Sequence, residues 1–367
     1  MSVSSLQLPA SSFQPAANVQ FPGSRSRQKS FAVLAFCLLV TITGSSISSA
    51  QTFEVAGSRA AGMGGAFVAV ADDASAVYWN PAGLASGSYF SLLVDYNTAR
   101  AISDEDPQAG SQSATFLALG VPALGLTYYR LRGTTVESPL FSADQLDAPR
   151  PLNGADTARV ASLITHHTGV TLVQSLTDNI AVGTTLKVIR GIAAAGVVAA
   201  GDRDDLLDEA GGLVGSGSTE FDADIGIMAL YGTLRAGLTV RNVREPEFET
   251  PGDADVLRLH RQVRAGVALT AATGLLVAAD MDLRAVPGTT GLVRNFAAGA
   301  EARVLHSTTV RGGFRFNTKG DQPPGRTPVA TVGGSYAVTA SVFVDGQVTL
   351  GSEGSDRGWG VGARVVF

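Results

Sequence analysis

Leu275-Leu276-Val277-Ala278-Ala279-Asp280-Met281-Asp282-Leu283-Arg284 is the stretch on which the fold turns. One set of alternate positions holds Leu275, Val277, Ala279, Met281 and Leu283, and the other ends in Asp280, Asp282 and Arg284. This is the period-two pattern of a strand with one oily and one wet face. A charge turned toward lipid costs up to roughly 2–4 kcal/mol near the bilayer midplane, less for acids and near the interface. A slip by one residue would expose three charges, so the register is well specified. The same alternation recurs at Phe221–Ile227, Leu234–Arg241, Phe296–Val304, Thr309–Asn317 and Ser341–Leu350. A soluble β-sandwich would show it too, with the oily face as its core.

Composition separates the two readings. Only 16% of the 367 residues are charged, 45% are hydrophobic and 43 are Gly. Disordered chains carry more charge and less apolar surface. Beyond residue 50 no apolar run of about eighteen residues is available to span a bilayer as a helix. A net charge of −5 does not suit a basic nucleic-acid binder. High apolar content without a long apolar run is what a membrane β-barrel spreads over every second residue.

Spacing predicts an antiparallel barrel of about fourteen strands, beginning near Ser88, Ala114, Leu124, His166, Asn179, Phe221, Leu234, Leu257, Leu275, Leu292, Ser307, Val329, Ala340 and Gly358. Each is expected to run about ten residues, enough to cross at the usual tilt. Connections alternate between tight turns, such as Pro122-Ala123 and Gly232-Thr233, and longer loops, such as Arg132–Ile164 and Ile192–Glu220. In outer-membrane barrels short turns face the periplasm and long loops the exterior. An even count then places both ends of the barrel on the periplasmic side. Two features fit less well: Arg130 and Arg261 fall on the outward phase, where their stems must snorkel, and the second strand, Thr115–Val121, has no clear polar face.

The first fifty residues read as an export signal behind a polar prefix at 1–24. Arg25, Arg27 and Lys29 precede the apolar stretch Phe31–Val40, and Ser48-Ser49-Ala50 offers a cleavage site. A membrane anchor is the competing reading, against which the apolar segment is short. Cys37 is the single cysteine and lies in that stretch. The organisation is therefore 1–50 signal, 51–87 a Gly- and Ala-rich segment without strand alternation, and 88–367 the barrel.

Within the middle segment, Gly57-Ser58-Arg59-Ala60-Ala61-Gly62-Met63-Gly64-Gly65 leads to Asp72-Asp73 and then to Tyr78-Trp79-Asn80-Pro81-Ala82. Gly62, Gly64 and Gly65 allow positive φ and close backbone approach. Asp72 and Asp73 suit either a cap on a short helical turn or pairing with wall arginines. Pro81 fixes φ and disfavours helix at Asn80. No Lys-Ser/Thr follows the glycines, so a phosphate-binding loop is not supported. This stretch resembles the N-terminal signature of FadL-type and PorV/PorQ-like outer-membrane proteins, and the later strands resemble their PorV/PorQ and TraF-like branch in style. The resemblance implies that residues 51–87 form a hatch inside the lumen, with Asn80, Pro81 and Ala82 matching the family's Asn-Pro-Ala motif. The last strand, Trp359–Phe367, ends on an outward aromatic, and this ending resembles the C-terminal signal read by the bacterial barrel-assembly machinery, with Phe367 as its terminal residue.

The wet faces predict a lumen lined by Arg235, Arg264, Asp280, Asp282, Arg284, Glu301, Arg303, Arg311, Arg315 and Asp345, with Arg59, Asp72 and Asp73 tethering the hatch to it. Signs nearly balance, which favours an ion-paired lining over an anion-selective ring. His166 and His167 point to opposite faces of one strand and cannot share a metal that way. No catalytic residue, metal site or cofactor is assigned, and an enzyme is not expected. The resemblance implies a bacterial outer-membrane channel for small hydrophobic molecules, captured by loops with oily patches at Pro139-Leu140-Phe141 and Leu206-Leu207. The alternative is a PorV-like, non-conducting component of protein secretion or surface assembly. Expected partners are outer-membrane lipid and lipopolysaccharide, the assembly machinery, and either a hydrophobic solute or secreted protein clients, but no nucleic acid.

Overall fold

The computed structural model describes residues 56–102, 108–137, 157–199, 201–253, 256–271, 274–288, 291–319, 328–351 and 356–367. The export signal, Cys37 and Pro139-Leu140-Phe141 lie outside these residues. Fourteen strands close into one antiparallel barrel. They are β1 Ser91–Ala101, β2 Gln108–Val121, β3 Leu124–Glu137, β4 Thr157–Thr177, β5 Ile180–Ala199, β6 Ser216–Tyr231, β7 Leu234–Arg241, β8 Gln262–Thr270, β9 Leu275–Asp282, β10 Asn295–Arg303, β11 Thr308–Asn317, β12 Val329–Ala337, β13 Val342–Leu350 and β14 Arg357–Val366. Each pairs with its sequence neighbours, and β14 closes on β1 in the register Ser91↔Val366 to Arg100↔Arg357.

The alternation in β9 settles which side faces what. Val277 and Met281 are 45% and 39% exposed, whereas Ala278 and Asp280 are 3% and 2% exposed. The oily side chains therefore point outward and the charged ones inward, which is the reverse of a soluble sandwich. Val94, Leu117, Leu126, Val170, Leu186, Ile225, Val267 and Val344 continue the exposed apolar surface around the barrel. An apolar belt of this extent is not compatible with water, and the chain is a transmembrane barrel.

Strand lengths and several strand starts differ from the sequence expectation: β4, expected from near His166, begins at Thr157, and β2 and β6 begin at Gln108 and Ser216, ahead of Ala114 and Phe221. β4 and β5 run 21 and 20 residues instead of about ten. Much of Arg132–Ile164 and Ile192–Glu220, expected as loop, is strand. The reason is that above the apolar belt a strand needs only a covered face, not an oily one. Helix Arg203–Gly211 supplies that cover, its Leu206 and Leu207 packing on Ala109, Val136, Ala158 and Val160. Leu257 and Leu292 do not open barrel strands. They sit in small hairpins, Glu247–Glu249 with Val256–Arg258 and Val286–Gly288 with Gly291–Val293, whose residues alternate as barrel strands do.

Residues 56–86 run round the inside of the wall. Ser58 N donates to Asp95 on β1 at 2.9 Å, and Thr331 Oγ1 on β12 donates to Gly62 O at 3.2 Å. Phe67 N and Val68 N both donate to Asp280 Oδ2 on β9 at 2.8 Å. Arg264 on β8 and Arg235 on β7 donate to Gly65 O and Val70 O. Asn80 Nδ2 reaches Ile227 O on β6 at 3.1 Å, and Thr185 Oγ1 on β5 reaches Val77 O at 3.3 Å. A segment that bonds to strands on every side of a closed barrel occupies its lumen. The missing polar face of β2 follows: Phe116 and Ala118 point inward and are buried against this segment, with Phe116 edge-on to Tyr78 at 6.0 Å.

Candidate functional site

The luminal segment folds as two single-turn helices, Ser58–Ala61 and Ala76–Trp79, followed by the 3-10 turn Pro81–Ser86. Phe67, Tyr78 and Trp79 are fully buried; Trp79 meets Phe67 and Tyr78 edge-on, and Tyr78 in turn meets Phe116 and Tyr129. Asn80 fixes the exit toward β1. Its amide donates to Val68 O at 3.0 Å and its Oδ1 accepts from Ala82 N at 3.2 Å, while Pro81 opens the 3-10 turn. Pro is suited to that first position because no amide donor is needed there.

Charge holds the segment to the wall. Arg59 binds Glu301 through Nε and Nη2, each at 3.0 Å, and its Nη1 lies 2.5 Å from Asp72 and 2.9 Å from Asp73. Glu301 is shared with Arg311 at 2.5 Å, Asp345 bridges Arg311 and Arg364 at 3.2 Å each, and Arg364 returns to Asp73 at 3.5 Å. Arg235 lies 3.4 Å from Asp72. Four guanidinium groups thus face four carboxylates, and this cluster carries no net charge. Burial alone would raise the Asp73 carboxyl, but Arg59, Arg364 and the Ser75 hydroxyl outweigh it and hold it below the ordinary carboxylate range. Asp73 Oδ1 also accepts from Ser75 N at 2.9 Å.

Of the other residues expected to line the lumen, Arg264 pairs with Asp282 at 2.6 Å and Arg315 with Asp356 at 2.7 Å. Arg284 and Arg303 lie elsewhere. β9 ends at Asp282, so Arg284 is exposed beyond it, 3.3 Å from Glu245. Arg303 ends β10 and is exposed at the rim, near Gly274 and Thr309. A second buried cluster is centred on Lys187, 2.7 Å from Asp224, 3.1 Å from Asp222 and 3.2 Å from Asn242 Oδ1. Beside it Arg241 stacks on the Tyr78 ring at 3.5 Å and His167 on Tyr129 at 4.2 Å. His166, on the opposite face, bonds Tyr128 outside the barrel.

The residues missed by sequence reasoning are inward glycines of the wall. A Cβ on Gly299 would lie 2.3 Å from Met63 O, and one on Gly226 would lie 2.0 Å from Asn80 Oδ1. Glycine inside a strand marks a close backbone approach, and their inward phase was the available signal. Gly64 answers from the segment side, with φ +71 and Phe314 O 2.7 Å from where its Cβ would be. Gly299→Val is expected to cost about 1–3 kcal/mol by overpacking and to expose Phe67, Tyr78 and Trp79 to chymotrypsin. Gly312→Val, whose Cβ would meet only Thr331 O at 3.9 Å, should leave the digestion pattern unchanged.

Residues 77–282 match the family model described as "F plasmid transfer operon, TraF, protein". The chain belongs to that family. In fold this TraF-family protein is also similar to several solved structures. The CymD monoaromatic hydrocarbon channel is 13% identical with a TM-score of 0.56, and 86% of this chain and 98% of that chain are covered. The Pseudomonas putida toluene transporter TodX is 11% identical with a TM-score of 0.58, over 86% and 99%. A Pseudomonas aeruginosa FadL homologue is 11% identical with a TM-score of 0.53, over 82% and 96%. At these identities the likeness shows the FadL-like barrel fold. No curated protein matches the chain.

Proposed function

We propose that this TraF-family barrel lies in the bacterial outer membrane, with its long loops outside, and passes small hydrophobic molecules past a hatch formed by residues 56–86. The observation that carries the reading is a buried apolar cluster on the long-loop side of that hatch. Inward Leu163, Ile189 and Ala193 form a buried cluster with Phe248, Leu257 and Leu259, contributed by the hairpin Glu247–Arg258 and the residue after it. Phe248 occupies the space over Gly191, where a Cβ would lie 2.1 Å from its ring. A small hydrocarbon reproduces such contacts, whereas the cluster offers no polar partner to a hydrated ion. Fold likeness to proteins described as hydrocarbon channels supports the same cargo class. Phe367, whose backbone pairs with Phe90 through bonds of 3.0 and 3.3 Å, is proposed as the element read by the assembly machinery.

A second reading, a non-conducting scaffold for secreted or surface proteins, is favoured by how completely the hatch is buried and tied to the wall. The two separate in a deletion strain. Cells with the wild-type barrel are expected to accumulate labelled toluene several-fold faster than the deletion strain, and Phe248→Ala should change that rate without altering barrel assembly on a heat-shift gel. Equal toluene uptake by both strains, together with an altered set of surface proteins, would reject the channel in favour of the scaffold.

A further inference from the structure

Three cationic or imidazole side chains share one register row on the lipid-facing side of the wall. Register places Arg130 on β3 opposite His166 on β4, and His166 opposite Arg190 on β5. Arg130 and His166 are half-buried, Arg190 is exposed, and all three lie on the phase that carries Leu126, Val170 and Leu186 lower down. Thr115 on β2 and Thr219 on β6 extend the row on either side. Neighbouring strands are about 4.8 Å apart, so the two guanidinium stems start about 10 Å apart with the imidazole between them. Tyr128 OH, 2.8 Å from His166 Nδ1, orients that ring.

Charge in this row is one-sided. Among the described residues neither Arg130 nor Arg190 has an acid within ion-pair distance, although Arg100 on the same outer surface is paired with Asp204 and Asp208. Arg132, one step above, is already occupied beneath helix Arg203–Gly211, where a Cβ on Gly211 would fall 1.7 Å from its Nη2. Directly below, the rows are oily. Leu117, Tyr128, Val188 and Phe221 flank Thr168, and the next row adds Leu126, Val170 and Leu186. Two unpaired guanidinium groups at the upper edge of an acyl-chain surface are chemically complementary to a phosphate carried on a lipid.

We infer that Arg130, His166 and Arg190 form a binding site for a phosphorylated glycolipid of the outer leaflet, with one phosphate seated between the guanidinium groups and the acyl chains lying along β3–β5. The site rests on the proposed outer-membrane placement and is independent of whether the lumen conducts. Native mass spectrometry of the full barrel in detergent tests it, with diphosphoryl lipid A, its dephosphorylated form and inorganic phosphate as probes. The wild type is expected to hold one phosphorylated glycolipid at least about tenfold more tightly than Arg130→Gln/Arg190→Gln. Equal binding by wild type and variant, or equal binding of the dephosphorylated glycolipid by the wild type, would overturn the site. Displacement by an equimolar amount of inorganic phosphate would overturn the lipid as its source. Should the variant not fold, the wild-type comparison of the two glycolipids decides alone. Membrane fractionation tests placement separately, so a barrel found elsewhere would fail there without touching the binding result.

Discussion

Arg59→Ala is expected to release the luminal segment while leaving the barrel closed. Among the described residues Arg59 is the one cation that reaches Asp72, Asp73 and Glu301 together, and its side chain is only 11% exposed. Removing one partner of a buried ion pair costs roughly 3–5 kcal/mol, because the other charge stays behind without compensation. Here Arg235, Arg364 and Arg311 still touch the three carboxylates, so the loss should fall near the lower end of that range. Chymotrypsin should then cut at Phe67, Tyr78 or Trp79, and planar-bilayer recordings should show ion conductance that the wild type lacks. Arg100→Ala is the control, since its pairs with Asp204 and Asp208 are exposed and worth less than about 1 kcal/mol. If both variants digest and conduct alike, the ion pairs do not hold the segment.

Met281→Arg and Ala278→Arg should both impair the protein, at different steps. Met281 faces lipid between Ala265 on β8 and Phe296 on β10, and a charge there costs up to roughly 2–4 kcal/mol, less toward the interface. Loss of the heat-shifted species from the membrane is the expected readout. Ala278 points inward, where the sequence alone suggests a milder effect unless the hatch interferes. The structure removes that leniency, because Ala278 is buried in the cluster that contains Phe67, Val68 and Met63. Its arginine variant should therefore reach the membrane and shift on heating, but with the luminal segment open to chymotrypsin. If Met281→Arg assembled normally while Ala278→Arg failed to insert, the inside and outside of β9 would be exchanged.

How much was legible depended on how far apart the interacting residues lie. The alternation of Leu275–Asp282 needs only neighbours, and it gave both the strand and its phase. Loop lengths need only neighbours too, and with them the strand count came out at fourteen. Asp280 was readable as a wet-face residue, but its role as acceptor for Phe67 N and Val68 N spans 213 and 212 residues. No local pattern announces such a partner. The extensions of β4 and β5 were hidden because the cover that makes them strands is a helix from a later loop. Gly226 and Gly299 counted in the composition as permissive residues, whereas their role is to leave space for a backbone that belongs to residues 56–86.

That distance has a consequence for how the molecule comes together. Residues 56–86 precede every strand, yet their partners include Glu301, 242 residues after Arg59, and Thr331, 269 residues after Gly62. Their seat does not exist until the final third of the chain has joined the wall. Contacts of such sequence separation form late, since the chain entropy between them must be lost before they return any energy. A strand shifted by one residue would turn Asp280 or Glu301 to the outside and leave the early segment without its anchor. Docking of that segment is therefore expected to come last: the first part of the barrel chain to be made settles only once the strands that carry its partners are in register.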